Sequence, residues 1–398
     1  GAALAGRFLL PPQEPRYNPI PEPVNVSLGA KVYVTWGTSA PADLKLFFNG
    51  AQLNAVNANQ EINDSVVITA SGNQQLVAWG SSGSIKLEDT LNFFVPPAVQ
   101  VKDLPPGVRE GITYEAGDTS ALLVLFAPGK ERVSVLGDFN DWTENSRDQC
   151  YRTADGKRHW VRISGLSPGK EYAFQYLVDG SLRIGDPYCE KVLDAANDRD
   201  IGPALYPDLK AYPTGKTTGI VSVLQTAKPK YAWKLPSFKR PDKRSLVLYE
   251  LLMRDFSYDH DWKTLMDTLP YLRELGINAI ELMPFNEFEG NNSWGYNPSY
   301  YLAPDKYYGT ERALKEFIDA CHQQGIAVVM DIALNHSFGQ SPLVQLYFDA
   351  TNNRPATSNP WFNPVARHPF NVGYDMNHES PATQAFFSRD RKSTRLNS

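Results

Sequence analysis

The sequence predicts a multidomain chain: two all-β, immunoglobulin-like sandwiches followed by the first part of an α/β barrel of the (β/α)8 type. Three observations predict it. From Val24 to Phe94, and again from about Gly111 to Tyr206, short runs of β-branched and aromatic residues alternate with turn signals at regular spacing, the pattern of small antiparallel sandwiches. After residue 244, three apolar runs, Leu246–Leu251, Ile277–Met283 and Ile326–His336, are separated by helical segments of about a dozen residues, the rhythm of repeated βα units with parallel strands. The third run, entered through Gly325, reads as a fully buried strand that leaves in Asp331, Asn335 and His336. The C-terminal ends of barrel strands are where such folds keep their chemistry.

In chain order, residues 1–22 are Pro-rich and unpatterned, a tail. The first sandwich, 23–97, takes strands from Lys31–Trp36, Asp43–Phe48, Ser65–Thr69 and Gln75–Trp79, with Asn49-Gly50 as one of its turns. Trp36 and Trp79 read as core or as sugar platforms, with core the commoner fate of large aromatics. Pro96-Pro97 and Leu104-Pro-Pro-Gly107 mark a linker, 98–110. The second sandwich, 111–206, alternates through Ala121–Phe126, Arg132–Leu136, His159–Ile163 and Tyr172–Val178. A basic, poorly patterned connector, 207–243, leads to the barrel segment, 244–389.

The first barrel helix, Thr264–Leu275, puts Leu265, Leu269, Leu272 and Leu275 on one face, and Pro270 either kinks or restarts it. The second, Glu311–Gln324, has Thr310 as N-cap and faces Leu314, Phe317, Ile318 and Cys321 inward. The loops 284–309 and 337–380 lie on the strands' C-terminal side, where long loops carry function. Residues 390–398, Asp-Arg-Lys-Ser-Thr-Arg-Leu-Asn-Ser, have neither periodicity nor cap and read as an artefactual tail.

Net charge is −5 and the isoelectric point is near 5.8, so a nucleic-acid partner is disfavoured. No apolar run approaches the ~20 residues of a membrane helix. Three cysteines, Cys150, Cys189 and Cys321, give neither a disulfide framework nor metal spacing.

Three ordered motifs, Trp294-Gly-Tyr-Asn-Pro298, Asp331-Ile-Ala-Leu-Asn-His336 and Gly373-Tyr-Asp-Met-Asn-His-Glu379, resemble those of the α-amylase superfamily, glycoside hydrolase family 13. Gly137-Asp-Phe-Asn-Asp-Trp142 resembles the family 48 carbohydrate-binding module that precedes many branching and debranching barrels. The resemblance implies an α-glucan partner and retaining chemistry, in which two carboxyls ~5 Å apart flank the bond. It implies that Tyr296 stacks on the reacting sugar, that His336 bonds its hydroxyls, that Trp294 lies beside them, and that Asp331 orients a downstream Arg. Asn377 and His378, with Asp375, match an accessory motif that either contacts substrate or anchors its loop.

Asn335 matches a position that ligates calcium in many relatives; no cofactor is otherwise required. Trp142 matches one glucan platform of the module, but Leu182 and Gln175 stand where its second Trp and its Lys would be, which favours a structural module. Glu281, Glu287 and Glu289 match no catalytic position. The family's nucleophile, catalytic Arg, acid Glu and stabilising Asp lie on strands four, five and seven, beyond residue 398, so this chain is expected to be inactive. The expected activity of the parent enzyme is α-1,4-glucan hydrolysis of the amylase type, with a branching or debranching enzyme as the alternative and a non-catalytic glucan binder as the alternative of another class. A secreted, periplasmic or cell-surface location goes with the first, a cytoplasmic one with a glycogen enzyme.

Overall fold

The computed structural model describes residues 4–9, 26–369 and 372–393. The expectations of a tail over 1–22 and an artefactual end at 390–398 fall largely outside them. Where they overlap, two elements extend into these stretches. Gly6–Leu9 (β1) pairs antiparallel with the next strand, and helix α6, Pro381–Ser393, runs past residue 390.

The first unit is one continuous sheet, not the expected two. Its strands are β1, Lys31–Phe48 (β2), Ala51–Val67 (β3), Gly72–Ser82 (β4) and Ile85–Val95 (β5), ordered β1-β2-β4-β5 with β3 also on β2. The reason lies at Gly37–Ala42, a stretch that reads as a turn but is crossed by irregularities in register, so two expected strands become one of 18 residues. Bulged strands bend, and here Val34, Trp36, Leu44, Leu46, Leu76 and Phe93 enclose a separate core. Trp36 is fully buried and donates its indole N–H to Asp89 Oδ2 at 3.3 Å, so it is core. At the predicted Asn49-Gly50 turn both residues have positive φ, 48° and 81°, as a type I′ hairpin requires.

The second unit has two packed sheets. One contains Gly111–Tyr114 (β6), Ser120–Phe126 (β7), Tyr151–Arg152 (β9) and Arg158–Ser164 (β10). The other contains Val133–Gly137 (β8), Glu171–Val178 (β11), Leu182–Ile184 (β12), Val192–Leu193 (β13) and Val221–Gln225 (β14). β14 comes from the segment read as connector. It pairs with β11 and places Leu224 in the core. Gly219–Leu224 is the one patterned run of that segment, and its place in the sheet is set by β11, distant in sequence.

His159 on β10 is buried, and burial, with Arg152 adding, pushes its imidazole down to about 4 from an ordinary 6.5. A depressed histidine leaves the folded state short of a proton that the unfolded state takes up below pH 6.5. Stability should therefore fall as pH drops from about 6.5 to about 4, by about 3 kcal/mol in all. Urea unfolding of wild type and His159→Gln across that range checks this: the difference between them should change by that amount, and parallel curves would contradict it.

In the third unit Leu248–Leu251 (β15), Ala279–Leu282 (β16) and Ala327–Met330 (β19) pair parallel, as the βα rhythm predicts. Leu251, Ile280 and Leu282 pack under Trp262, Leu265, Leu272 and Phe317. Around them lie helices α1 (Met253–Phe256), α2 (Trp262–Asp267), α3 (Leu269–Glu274) and α4 (Glu311–Gln323). Pro270 restarts the helix as α3 rather than kinking it, because Thr268 ends α2 and a proline fits the first turn. Thr310 caps α4, its Oγ1 accepting from Ala313 N at 3.1 Å.

The third strand is not fully buried. Side chains alternate, and on the sheet face away from the helices Leu248 is 47% and Val329 40% exposed. The remaining elements are short: Asn286–Phe288 (β17) with Pro298–Pro304 (β18), Phe348–Asp349 (β21) with Arg354–Pro355 (β22), and His336–Ser337 (β20) with Tyr374–Asp375 (β23). Helix α5, Pro342–Gln345, lies among them.

Second and third units share a core. Tyr301, Leu343, Trp361, Phe362 and Phe386 join the side chains of β7, β10 and β11 in one cluster, and Trp361 meets Phe126 edge-on at 5.7 Å.

Candidate active site at the strand ends

Asp331 follows β19 directly, its N–H held by Leu282 O at 2.9 Å. The loop before β18 brings Tyr296 to it. Gly295 makes this approach with φ +87°, and a Cβ there would come within 2.1 Å of Pro284 O, so only glycine fits between Trp294 and Tyr296. Ser293 Oγ accepts from Gly295 N at 3.0 Å, and Asn297 Nδ2 donates to Glu289 O at 2.7 Å, fixing the loop on both sides.

Three predicted residues interlock here. The Tyr296 phenol donates to Asp331 Oδ2, and His336 Nε2 meets Tyr296 O at 2.7 Å. A carbonyl only accepts, so the proton sits on Nε2 and the buried Nδ1 is left as an acceptor with no partner among the described residues. Tyr301 OH donates to His336 O at 2.5 Å from below. Burial raises the Tyr296 pKa well above its ordinary 10, with the Asp331 hydrogen bond and the charges of Glu250 and Glu281 adding to it, so the phenol stays a donor. Trp294 is 59% exposed on the same loop.

Glu250 and Glu281 are cross-strand neighbours in the sheet register, two residues short of the level of Asp331. They alternate with buried positions, which is the signal that places them on the open face.

Within the accessory motif, Asp375 is tied into its loop. Asp375 is buried, accepts from Asn363 Nδ2 at 2.7 Å and Arg367 N at 3.3 Å, and pairs with His368 at 3.2 Å. Asn377 Oδ1 accepts from Glu379 N at 3.2 Å, and the His378 ring stacks on Phe387. Asn377 is half-buried and His378 exposed, so these contacts leave both at the surface. Asn335 is exposed, and no group of three or more His, Cys, Asp or Glu side chains among the described residues could hold a metal. Calcium takes six to eight oxygens, of which Asn335 would supply one.

Trp142 is not an open platform. It is 6% exposed, donates to Asp138 Oδ1 at 3.1 Å, and packs with Leu136 and Leu193 beneath Leu209 and Tyr212. Gln175 fastens the covering segment: its Nε2 donates to Thr218 O at 2.9 Å and Ile220 O at 2.8 Å. The segment lies far away in sequence, which is why a platform was expected.

A charged cluster went unread. Lys306, 3% exposed, contacts Glu287 Oε1 and lies 3.2 Å from Asp198 Oδ1. Burial pushes Glu287 and the neighbouring Asp305 upward, Asp305 to about 6.

Residues 235–391 match the catalytic domain of alpha-amylases. The chain is 31% identical over 240 residues to the 1,4-alpha-glucan branching enzyme GlgB of Thiobacillus denitrificans, covering 55% of this chain and 28% of that protein. To the GlgB of Oleidesulfovibrio alaskensis it is 31% identical over 233 residues, 54% of this chain and 33% of that one. The chain thus spans about a third or less of these relatives. Among solved structures it resembles a Salmonella typhimurium protein assigned as an alpha amylase, with TM-score 0.54 and 22% identity over 71% of this chain and 41% of that one. It also resembles the catalytic module of the glycogen-degrading pneumococcal virulence factor SpuA, with TM-score 0.53 and 19% identity over 72% and 44%. Residues 235–391 are thus similar to the catalytic domains of alpha-amylases.

Proposed function

We propose that this chain carries the sugar-gripping part of an enzyme acting on α-1,4-linked glucan, and that the reaction is transfer to make branches. The interlock of Tyr296, Asp331 and His336 at the parallel strand ends carries the reading. A tyrosine ring offers a face to the apolar side of glucose, and that face also favours the positive charge that develops during cleavage. Asp331 fixes the ring through its hydroxyl. His336, 6% exposed with its Nδ1 buried, holds the Tyr296 carbonyl through Nε2 and so positions the ring-bearing backbone. In this reading the reacting carboxylates are not among residues 1–398, and a cytoplasmic location goes with a glycogen enzyme.

Branching is preferred over the hydrolysis expected of an amylase because the curated relatives are branching enzymes. A chimera in which such a relative completes the barrel tests this on amylose. New α-1,6 branch points with little new reducing sugar are expected; reducing ends without branch points would mean hydrolysis. The unaltered 398-residue chain should show no turnover of a malto-oligosaccharide. A non-catalytic glucan binder is disfavoured by the covered Trp142.

A further inference from the structure

A cleft of about 360 Å³ opens between the second unit and the barrel segment, away from the strand-end site. Its size lies within the ~300–1,000 Å³ of small-molecule sites. Its walls come from β11 and β14, from the connector at Lys228–Tyr231, and from the first turn of α4. The chain is acidic, yet this cleft is not. Apart from Lys306, whose charge Glu287 and Asp198 hold, six cationic side chains line it against the three carboxylates of Glu171, Glu190 and Glu311.

All three carboxylates are already engaged. Glu171 holds Lys191 at 2.8 Å, Glu190 lies 3.5 Å from Lys228, and Glu311 holds both Lys228 and Lys315. Two lysines therefore converge on one anion, which marks the position as one that favours negative charge. At the rim, Lys230 makes no ion pair among the described residues, and Arg312 pairs only along its own helix with Glu316, at 2.9 Å, while its side chain is 79% exposed. Tyrosine rings complete the lining, with Tyr114 45% exposed.

We propose that this cleft binds a sugar phosphate. Lys230 and Arg312 supply charge-assisted hydrogen bonds to the phosphate, and the α4 N-terminus adds its partial positive charge. The tyrosines take the faces and hydroxyls of the sugar. A neutral oligosaccharide fits less well, because it offers no charge to Lys230 and Arg312.

Calorimetric titration of the 398-residue chain with glucose 6-phosphate, inorganic phosphate and maltotriose tests the assignment. Glucose 6-phosphate should bind saturably, weaken with added salt, and bind about tenfold or more tighter than either other probe. The double variant Lys230→Glu/Arg312→Glu should lose about tenfold or more of that affinity with an unchanged unfolding midpoint. If the double variant does not fold, Lys230→Gln alone should still weaken binding measurably. No saturable binding, equal or tighter binding of maltotriose or phosphate, or affinity unmoved by these substitutions would overturn the proposal.

Discussion

Lys306→Met should destabilise the joined second and third units by about 3–5 kcal/mol, the range for removing one partner of a buried ion cluster. Lys306 is 3% exposed and is held between Glu287 of β17 and Asp198, with Asp305 beside it. Burial alone would lower its pKa, but these carboxylates outweigh burial and raise it. Methionine fills the space of the lysine stem but leaves the buried Glu287 and Asp305 and the half-buried Asp198 without that cation. They would then bind protons more tightly in the folded state than in the unfolded one. Acidification should therefore narrow the gap between variant and wild type, as protonation removes the uncompensated charge. Urea unfolding at neutral pH and at about pH 5 measures both. A variant within about 1 kcal/mol of wild type at neutral pH would mean that the cluster contributes little.

Trp361→Ala should cost a similar ~3–5 kcal/mol, the usual range for emptying a large aromatic site in a core. Trp361 is 3% exposed, edge-on to Phe126 and tilted against Tyr347. Because Phe126 belongs to β7, the loss should fall on the second unit as well as on the barrel segment. Limited proteolysis of the wild type should leave these two units together, while the first unit, whose core is its own, separates from them. In Trp361→Ala, cleavage should spread through β7 and β10. A resistant second-unit fragment, unaffected by the substitution, would show that the cores are separate.

What the sequence made legible was periodic or local. The three parallel strands, the α4 face of Leu314, Phe317, Ile318 and Cys321, and the Thr310 cap follow from spacing and a single hydroxyl. The interlock of Tyr296, Asp331 and His336 was approached through motif order, since spacing alone does not tell which ring nitrogen meets which carbonyl. What stayed hidden depended on partners distant in the chain. Trp142 looks like a platform until Leu209 and Tyr212 cover it. Asp198 and Lys306 stand 108 positions apart and share no periodicity. The bulged β2 looks like two strands because Gly37–Ala42 has the composition of a turn. Openness of the β15-β16-β19 face is likewise a matter of what packs there, and Leu248 and Val329 are exposed although their residue types predict burial.

The grip of Tyr296, Asp331 and His336 on a reacting sugar is tested most directly by His336→Ala in the barrel-completed chimera. Removing the ring that positions Tyr296 against the sugar should lower kcat by roughly 10²-fold or more, while circular dichroism and the unfolding midpoint remain near those of the parent. A rate on amylose equal to that of the parent chimera, with the fold intact, would contradict the assignment of this site.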